Sequence, residues 1–138
     1  IVSVKKRYPG HAKKLMSAIW GLGLLSLSRC VIVVDHDVDV QDVSAVAFQA
    51  FSNVDAGRDM LVVEGPVDAL DHAAPYFAYG AKVGLDATRK REGEGQVRPW
   101  PDGIVMSDEI RELVDRRWAE YGIERPGEKG TSGPAGRR

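Results

Sequence analysis

Residues 30–34, with the sequence CVIVV, decide the fold class. The run is apolar and mostly β-branched without a polar interruption, which is typical of a strand covered on both faces in a parallel or mixed sheet. Residues 1–4 and 60–63 are similarly apolar and β-branched, and they predict one strand before this run and one after it.

Two helices are predicted between these strands. The first begins at His11, and its apolar residues recur at helical spacing: Ala12, Leu15, Met16, Ile19 and Trp20. The second follows Asp42 as N-cap, and we expect it to bury one stripe: Val43, Val46, Ala47, Ala50, Phe51 and Val54. Connections of this length between strands predict right-handed βαβ crossovers.

The second half of the chain is less regular. Residues 65–100 are rich in Gly, Pro, Asp and Ala and predict an ordered loop region, with only a short strand over residues 81–85. Ser107 is expected to cap a final helix that ends before Gly122, and Ile110, Leu113, Val114, Trp118 and Tyr121 form its apolar stripe. The fold class is therefore α/β, with a mixed, mainly parallel sheet flanked by helices. We expect residues 1–123 to form one domain and residues 124–138 a disordered tail.

Composition limits the function classes. The chain has 19 Lys and Arg against 20 Asp and Glu, so no overall charge would drive it onto nucleic acid or an anionic membrane. One cysteine cannot form an internal disulfide, which favours a reducing cytoplasm. No apolar run approaches the roughly 18 residues of a membrane span, and no signal peptide pattern is present. Because the chain begins with Ile1 inside a strand pattern, we expect it to be a piece of a longer protein.

Two charged clusters are candidate ligand sites. Asp35, Asp37 and Asp39 follow a strand and could hold a hard cation, or they could form a solvated turn that caps the next helix. The run of Lys5, Lys6 and Arg7 precedes a helix and could receive a phosphate, with His11 beside it, or could be a solvated face.

Three further features have a chemical and a structural interpretation. His72 could pair with Asp71 or Asp68 as an acid–base group, or it could hold loop backbone together. Residues 80–84 resemble a phosphate loop but lack its full spacing. Cys30 is expected to be a small core residue rather than a nucleophile, and core packing is the default for Trp20, Phe51 and Trp118.

Several stretches, in order and spacing, closely resemble UbiD-type decarboxylases. They are KKRYPGHAKK at residues 5–14, AIWG at 18–21, VIVVD at 31–35, NVD at 53–55, PVDALDHA at 66–73, KVGLDAT at 82–88, RPWP at 98–101 and DRRW at 115–118. The resemblance covers the chain from about residue 1 to residue 121. Two segments depart from the family pattern. At residues 53–57, relatives often have Arg before the position of Asp55 and Pro after it. At residues 65–68, relatives often have Asn-Thr-Pro before the position of Asp68.

The resemblance implies the C-terminal domain of a carboxy-lyase that follows a flavin-binding domain in the same protein. It implies prenylated FMN with Mn²⁺ and K⁺, and an aromatic or α,β-unsaturated acid as substrate, in particular a polyprenyl-4-hydroxybenzoate of quinone biosynthesis. No position here matches the family's catalytic or metal-binding residues, so the chain alone should be inactive, with Lys5 and Lys6 as possible cofactor contacts. The resemblance also implies a homo-oligomer in the cytoplasm, associated with the membrane if the substrate is prenylated.

Two other functions stay open. The same fold could serve as a non-catalytic oligomerisation module or as a separate subunit of a multi-subunit carboxylase. The second is that the chain binds a nucleotide or flavin as a free-standing protein. Only the order of strands and helices favours this function, and similarity of fold alone does not establish a function.

Overall fold

The computed structural model describes residues 1–123, which fall into two compact units. The first is Ile1–Trp100 and the second begins at Pro101. The predicted disordered tail over residues 124–138 lies outside the described residues, and the predicted domain boundary after residue 123 stays a prediction.

The first unit is built on one four-stranded sheet with the order β1-β2-β4-β3. The strands are β1 (Val2–Val4), β2 (Cys30–Asp35), β3 (Met60–Pro66) and β4 (Tyr79–Asp86). β1, β2 and β4 are parallel, whereas β3 pairs antiparallel with β4. The predicted mixed, mainly parallel sheet flanked by helices is therefore confirmed.

Four α-helices and two 3₁₀ turns are present in the described residues of the two units. The helices are α1 (His11–Trp20), α2 (Val43–Asn53), the short α3 (Ala56–Asp59) and α4 (Asp108–Arg116), and the 3₁₀ turns are Gly23–Leu27 and Trp118–Tyr121. Asp42 caps α2 by accepting from the Ala45 amide at 3.0 Å, and Ser107 caps α4 by accepting from the Ile110 amide at 3.4 Å. Both predicted N-caps are confirmed.

The first predicted crossover is present and the second is wrong. β1, α1 and β2 form a parallel strand–helix–strand unit of neighbouring strands. The third strand, however, pairs with β4 and not with β2, because β3 and β4 form an antiparallel hairpin at the edge of the sheet. Exposed and half-buried residues alternate along β3, as expected of an edge strand.

The predicted loop region over residues 65–100 contains more strand than expected. β3 extends to Pro66, and β4 has eight residues instead of the five that were predicted. Gly80, Lys82 and Gly84 lower the strand propensity of this segment, but β4 has hydrogen-bonded neighbours on both sides, and that pairing outweighs propensity.

The core has one cluster on each face of the sheet. Val31 and Val33 of β2 pack with Ala12 and Met16 of α1. On the opposite face of β2, Val34 packs with Val46 of α2. Because neighbouring residues of a strand point to opposite faces, α1 and α2 cover opposite sides of β2, as the continuous apolar run predicts.

Three predicted core positions are exposed. Phe51 and Val43 of α2 are 91% and 69% exposed, because the helix packs through the narrower stripe of Val46 and Ala50. Cys30 is exposed at the first position of β2, so the prediction of a core cysteine is wrong. Trp20 is half-buried, and its indole nitrogen donates to the Ser28 carbonyl at 2.9 Å.

The second unit contains α4 and the 3₁₀ turn that follows it. Ile110 and Leu113 on α4 are 43% and 39% exposed. Trp118 and Tyr121 meet edge to face with ring centroids 6.4 Å apart. Gly122 ends the segment with a φ of 63°, the left-handed conformation expected at this position. Within residues 1–123, no helix has the length and apolar character needed to cross a bilayer.

Candidate functional site

Charged side chains gather at one edge of the sheet. Register aligns Val4 with Asp35 and Val33 with Asp86, so the carboxyl ends of β1, β2 and β4 lie side by side. The antiparallel β3 begins at this edge, with Asp59 directly before it. Ligands of α/β proteins bind outside the carboxyl ends of parallel strands, which makes this edge the candidate functional site.

Lys90 lies at the centre of this edge with a fully buried side chain. Its ammonium nitrogen is 3.2 Å from Asp59 Oδ1 and 3.1 Å from Asp86 Oδ1, and it donates to the Asp86 carbonyl at 2.6 Å. The Thr88 hydroxyl and amide also donate to the Asp86 carboxylate. One ammonium therefore bridges two buried carboxylates.

A second buried pair joins the start of α1 to the segment after β4. Lys6 Nζ forms an ion pair with Glu94 Oε2 at 2.6 Å and lies 4.0 Å from Asp86 Oδ2. Glu94 also accepts from the Gly10 amide at 3.2 Å and from the Arg91 amide at 2.8 Å. The carboxylate thus occupies the N-terminus of α1, where helix amides favour an anion.

The half-buried Arg58 completes this group of charges. Its guanidinium donates to Asp59 at 2.7 Å, to Gln96 Oε1 at 2.6 Å and to the Asn53 carbonyl at 3.2 Å. We name the six residues Lys6, Arg58, Asp59, Asp86, Lys90 and Glu94 the buried charge cluster. It has three cations and three carboxylates, so its formal charges balance and each member has an opposite charge within the cluster.

Two carboxylates of this cluster, Asp59 and Glu94, are held ionised. Burial alone would raise the pKa of Asp59, but hydrogen bonds from Arg58 and the Asp55 amide and the charge of Lys90 bring this pKa below its ordinary value. Burial likewise opposes ionisation of Glu94, and its bonds with Lys6, Arg91 and Gly10 lower its pKa overall. Both groups are therefore negatively charged near neutral pH.

The cluster fixes the segment that follows β4. We name residues 89–100 the edge loop. The Arg89 amide donates to Asp35 at 2.7 Å and its guanidinium to Asp37 at 2.7 Å. Lys90, Glu94 and Gln96 add the contacts described above. The edge loop is thus tied to the rest of the unit by Arg89, Lys90, Glu94 and Gln96, while Arg91, Glu92 and residues 97–99 are exposed.

The acidic loop supports the turn interpretation. Asp35 and Asp37 bind Arg89, and Asp39 accepts from the Gln41 amide at 2.9 Å. The hydrogen bond from Arg89 is the main cause that lowers the pKa of Asp37. Within the part of the chain that the structure describes, no three His, Cys, Asp or Glu side chains converge as a metal site would require.

The basic run is split by burial. Lys5 is exposed, while Lys6 is 4% exposed and paired with Glu94. His11 accepts from the Arg7 amide at 3.4 Å and stacks on Tyr8 with ring centroids 4.4 Å apart. The position predicted for a phosphate is occupied by the Glu94 carboxylate. A cofactor contact of Lys5 or Lys6 stays a prediction.

The remaining candidates do not form a site. His72 is exposed, and Asp71 pairs with Arg29, whose hydrogen bond lowers the Asp71 pKa. Asp68 accepts from the Leu70 amide at 2.8 Å. Residues 80–84 lie inside β4, so the phosphate-loop interpretation is wrong.

Sequence reasoning missed five members of the cluster: Arg58, Asp59, Asp86, Lys90 and Glu94. Each was assigned to a strand boundary or loop, where a charge is ordinarily solvated. One signal was available, since Asp86 and Lys90 lie four residues apart directly after a predicted strand. Their burial depends on strand pairing, which a local pattern does not contain.

Two concave surfaces lie in the first unit. One, of about 280 Å³, is formed by the edge loop. The other, of about 400 Å³, is apolar and lies between α2 and the sheet, where it is lined by Ile32, Val43, Phe51 and Leu85 among others.

Comparison with known proteins identifies a family and several relatives. Residues 1–87 match the family described as the 3-octaprenyl-4-hydroxybenzoate carboxy-lyase C-terminal domain. An uncharacterized protein of Aquifex aeolicus is 46% identical over 123 residues, and one of Aeropyrum pernix is 48% identical over 124 residues. Each alignment covers 89% of this chain but only 25% or 26% of the relative. The chain thus spans about a quarter of the length of these relatives.

Two solved structures have a similar fold. The closed form of the vanillic acid decarboxylase of Sedimentibacter hydroxybenzoicus aligns with a TM-score of 0.72 and 25% identity, over 88% of this chain and 26% of that chain. The UbiD-class enzyme HmfF of Pelotomaculum thermopropionicum, in complex with FMN, aligns with a TM-score of 0.61 and 26% identity, over 82% and 24% of the two chains.

Proposed function

The chain belongs to the UbiD family of carboxy-lyases as a C-terminal domain, and from this premise we propose that the protein containing it is a prenylated-FMN-dependent decarboxylase. Its substrate class is aromatic or α,β-unsaturated carboxylic acids. The observation that carries the proposal is the family match over residues 1–87.

The fold and the named relatives support this class. The neighbour of Sedimentibacter hydroxybenzoicus decarboxylates vanillic acid, an aromatic acid, and HmfF binds a flavin. Within this class we propose a polyprenyl-4-hydroxybenzoate-like acid of quinone biosynthesis, which rests on the sequence resemblance described above.

We propose that other parts of the protein hold most of the cofactor of the family. No metal-binding group of three residues is present between residues 1 and 123, which disfavours a site for Mn²⁺ within this region. The helix N-terminus beside Lys6 is filled by Glu94. We therefore derive no step through the flavin or the metal from this chain, and we place both on the preceding part of the protein.

This chain then acts as a scaffold. Its carboxyl edge, fixed by the buried charge cluster, supplies one wall of the substrate cleft. Lys5 and Lys6 are the two proposed contacts to the cofactor phosphate. Lys5 is the better placed of them because it is exposed beside that edge, whereas Lys6 would have to give up its ion pair with Glu94 to bind the phosphate. Assembly of the protein as a homo-oligomer and its placement in the cytoplasm are further parts of the proposal.

Product analysis tests the proposed activity. The full-length protein, produced together with a flavin prenyltransferase, is incubated with a panel of benzoic, hydroxybenzoic and cinnamic acids, and decarboxylated products are measured by mass spectrometry. We expect turnover of at least one acid by the full-length protein and none by the 138-residue chain alone. Turnover by the 138-residue chain would contradict the scaffold role. Failure of the full-length protein on every acid would favour the oligomerisation or subunit alternative.

A further inference from the structure

Helix α2 covers only the carboxyl half of its side of the sheet. Toward the carboxyl edge, Val34 of β2 packs with Val46 of α2. In the row that follows, the register places Ile32, Leu85 and Met60 side by side on the same face. Met60 is 39% exposed, so the cover provided by α2 ends at this row.

The next row toward the amino ends of the parallel strands is open. Register aligns Cys30 with Val83 and Val83 with Val62. The side of the sheet is fixed by Gly84, where an added Cβ would meet Met16 of α1, so the neighbouring Val83 points to the α2 side. Val62 is 61% exposed and Cys30 is also exposed. The exposed thiol therefore belongs to an uncovered apolar part of the sheet.

The adjoining side of α2 extends this apolar area. No residue of α2 (Val43–Asn53) carries a charge, and Phe51 and Val43 are strongly exposed. Both line the groove of about 400 Å³ whose floor includes Ile32 and Leu85. A helix that is apolar around much of its circumference is usually buried. We name seven residues the open apolar surface: Cys30, Ile32, Phe51, Met60, Val62, Val83 and Leu85.

A surface of this composition favours a protein partner. In the first unit, α1 covers the opposite face of the sheet, and α2 covers the carboxyl half of this one. An apolar sheet face is stabilised when a further layer of structure covers it. Contiguous apolar patches on a folded protein accordingly mark interaction surfaces.

Charge and shape indicate that the partner is a second copy of the chain. Two identical surfaces that meet across a two-fold axis must be self-complementary, and like charges brought together there would repel. The open apolar surface has no charged residue, and Glu64 at its border accepts from the Tyr79 hydroxyl at 3.2 Å. The exposed ring of Phe51 lies at the rim of the groove, so each copy offers both a projecting ring and a groove to receive one.

We propose that the open apolar surface is the contact between two copies of this chain, packed across a two-fold axis. The surface lies on the amino half of the sheet, whereas the proposed function uses the carboxyl edge as a wall of the substrate cleft. Two copies can therefore dock with both clefts open. The choice of a second copy rests on the homo-oligomer of the proposed function.

Analytical ultracentrifugation of the 138-residue chain tests the contact over a series of concentrations. We expect a reversible dimer. Phe51→Ser and Val62→Lys should each weaken it at least about thirtyfold, as for residues at the centre of an interface. Val97→Lys is the matched control, because Val97 is 98% exposed in the edge loop, and its dimer should be unchanged. Circular dichroism reports whether each variant keeps its fold. A chain that stays monomeric up to about 1 mM, or a dimer that is unchanged in both variants, overturns the proposal.

The thiol of Cys30 gives an independent measurement, because the chain has one cysteine. Its rate of reaction with a maleimide should fall as the chain dimerises and should stay high at every concentration in Val62→Lys. Equal rates in the monomer and the dimer overturn the proposal.

The full-length protein separates this proposal from the proposed function. The modified Cys30 peptide is quantified by mass spectrometry, beside the oligomeric state and the decarboxylase activity. A full-length monomer with Cys30 protected shows that the rest of the polypeptide covers the surface, which overturns the second copy as partner. An inactive full-length protein that dimerises, and loses the dimer in Val62→Lys, contradicts the proposed function and supports the contact.

Discussion

Replacement of Lys90 by Met tests whether the buried charge cluster holds the carboxyl edge together. The side chain of Lys90 is fully buried, and its ammonium lies 3.2 Å from Asp59 and 3.1 Å from Asp86. Met keeps most of the apolar stem and removes the charge, so the two carboxylates face each other without their shared cation. Removing one partner of a buried ion pair costs about 3–5 kcal/mol, and we expect the free energy of unfolding to fall by that amount.

The deficit should depend on pH in a defined direction. The charge of Lys90 helps to lower the pKa of Asp59, so without Lys90 the pKa of Asp59 in the folded state is higher than in the unchanged protein. Protonation of Asp59 then relieves its repulsion with Asp86 as pH falls. The difference in unfolding free energy between Lys90→Met and the unchanged protein should therefore be largest near pH 7 and smaller near pH 5.

Urea denaturation followed by circular dichroism measures both effects. Arg111→Met is the matched control, because Arg111 makes an exposed contact of 3.9 Å with Asp108 and its loss should have no measurable effect. The double variant Lys90→Met with Asp86→Asn should regain part of the loss, since it removes one of the two carboxylates that Lys90 neutralises. A loss of less than about 1 kcal/mol in Lys90→Met at pH 7 would refute the reasoning.

Three further predictions concern stability. Gly84→Val should lower the free energy of unfolding by about 1–3 kcal/mol, because even a single Cβ at Gly84 would lie 2.5 Å from the sulfur of the buried Met16. An unchanged midpoint of thermal unfolding would contradict this packing. Asp42→Ala should cost about 1 kcal/mol through loss of the α2 N-cap, measured by urea denaturation, and restoration by Asp42→Ser is the check on that cause. The pKa values of Asp59 and Glu94 are lowered from ordinary values of 3.8 and 4.5, so their contribution to stability is complete above that range and is lost as pH falls through the lower folded values. A stability profile that is flat between pH 5 and about pH 2 would show that these ion pairs contribute nothing.

Local signals in the sequence predicted the local structure. The continuous run at residues 30–34 predicted a strand covered on both faces, and α1 and α2 cover β2 on its two sides. Asp42 and Ser107 were recognisable as caps because a side-chain oxygen reaches an amide only three residues further on.

Non-local pairing explains most of what was missed. The direction of β3 depends on which strand it pairs with, and apolar alternation is the same for parallel and antiparallel neighbours. The contact between Gly10 and Glu94 joins residues 84 positions apart. A charged residue is ordinarily solvated, so burial of Glu94 cannot be inferred until strand register brings its partners together.

The width of a helical stripe was another source of error. The spacing of α2 allows Val43 and Phe51 on the same face as Val46, yet only part of that face reaches the sheet. The apolar residues left over line the groove between α2 and the sheet. Periodicity identifies the face of a helix but not how much of it is covered.

Dependence on a flavin prenyltransferase tests the central claim most directly. The full-length protein is produced in cells with and without that enzyme, and release of carbon dioxide from the acid that it turns over is measured under anaerobic conditions. We predict activity only in the protein produced with the prenyltransferase, and loss of that activity when the cofactor is removed. Equal activity in the two preparations would contradict the assignment of this chain to a prenylated-flavin decarboxylase.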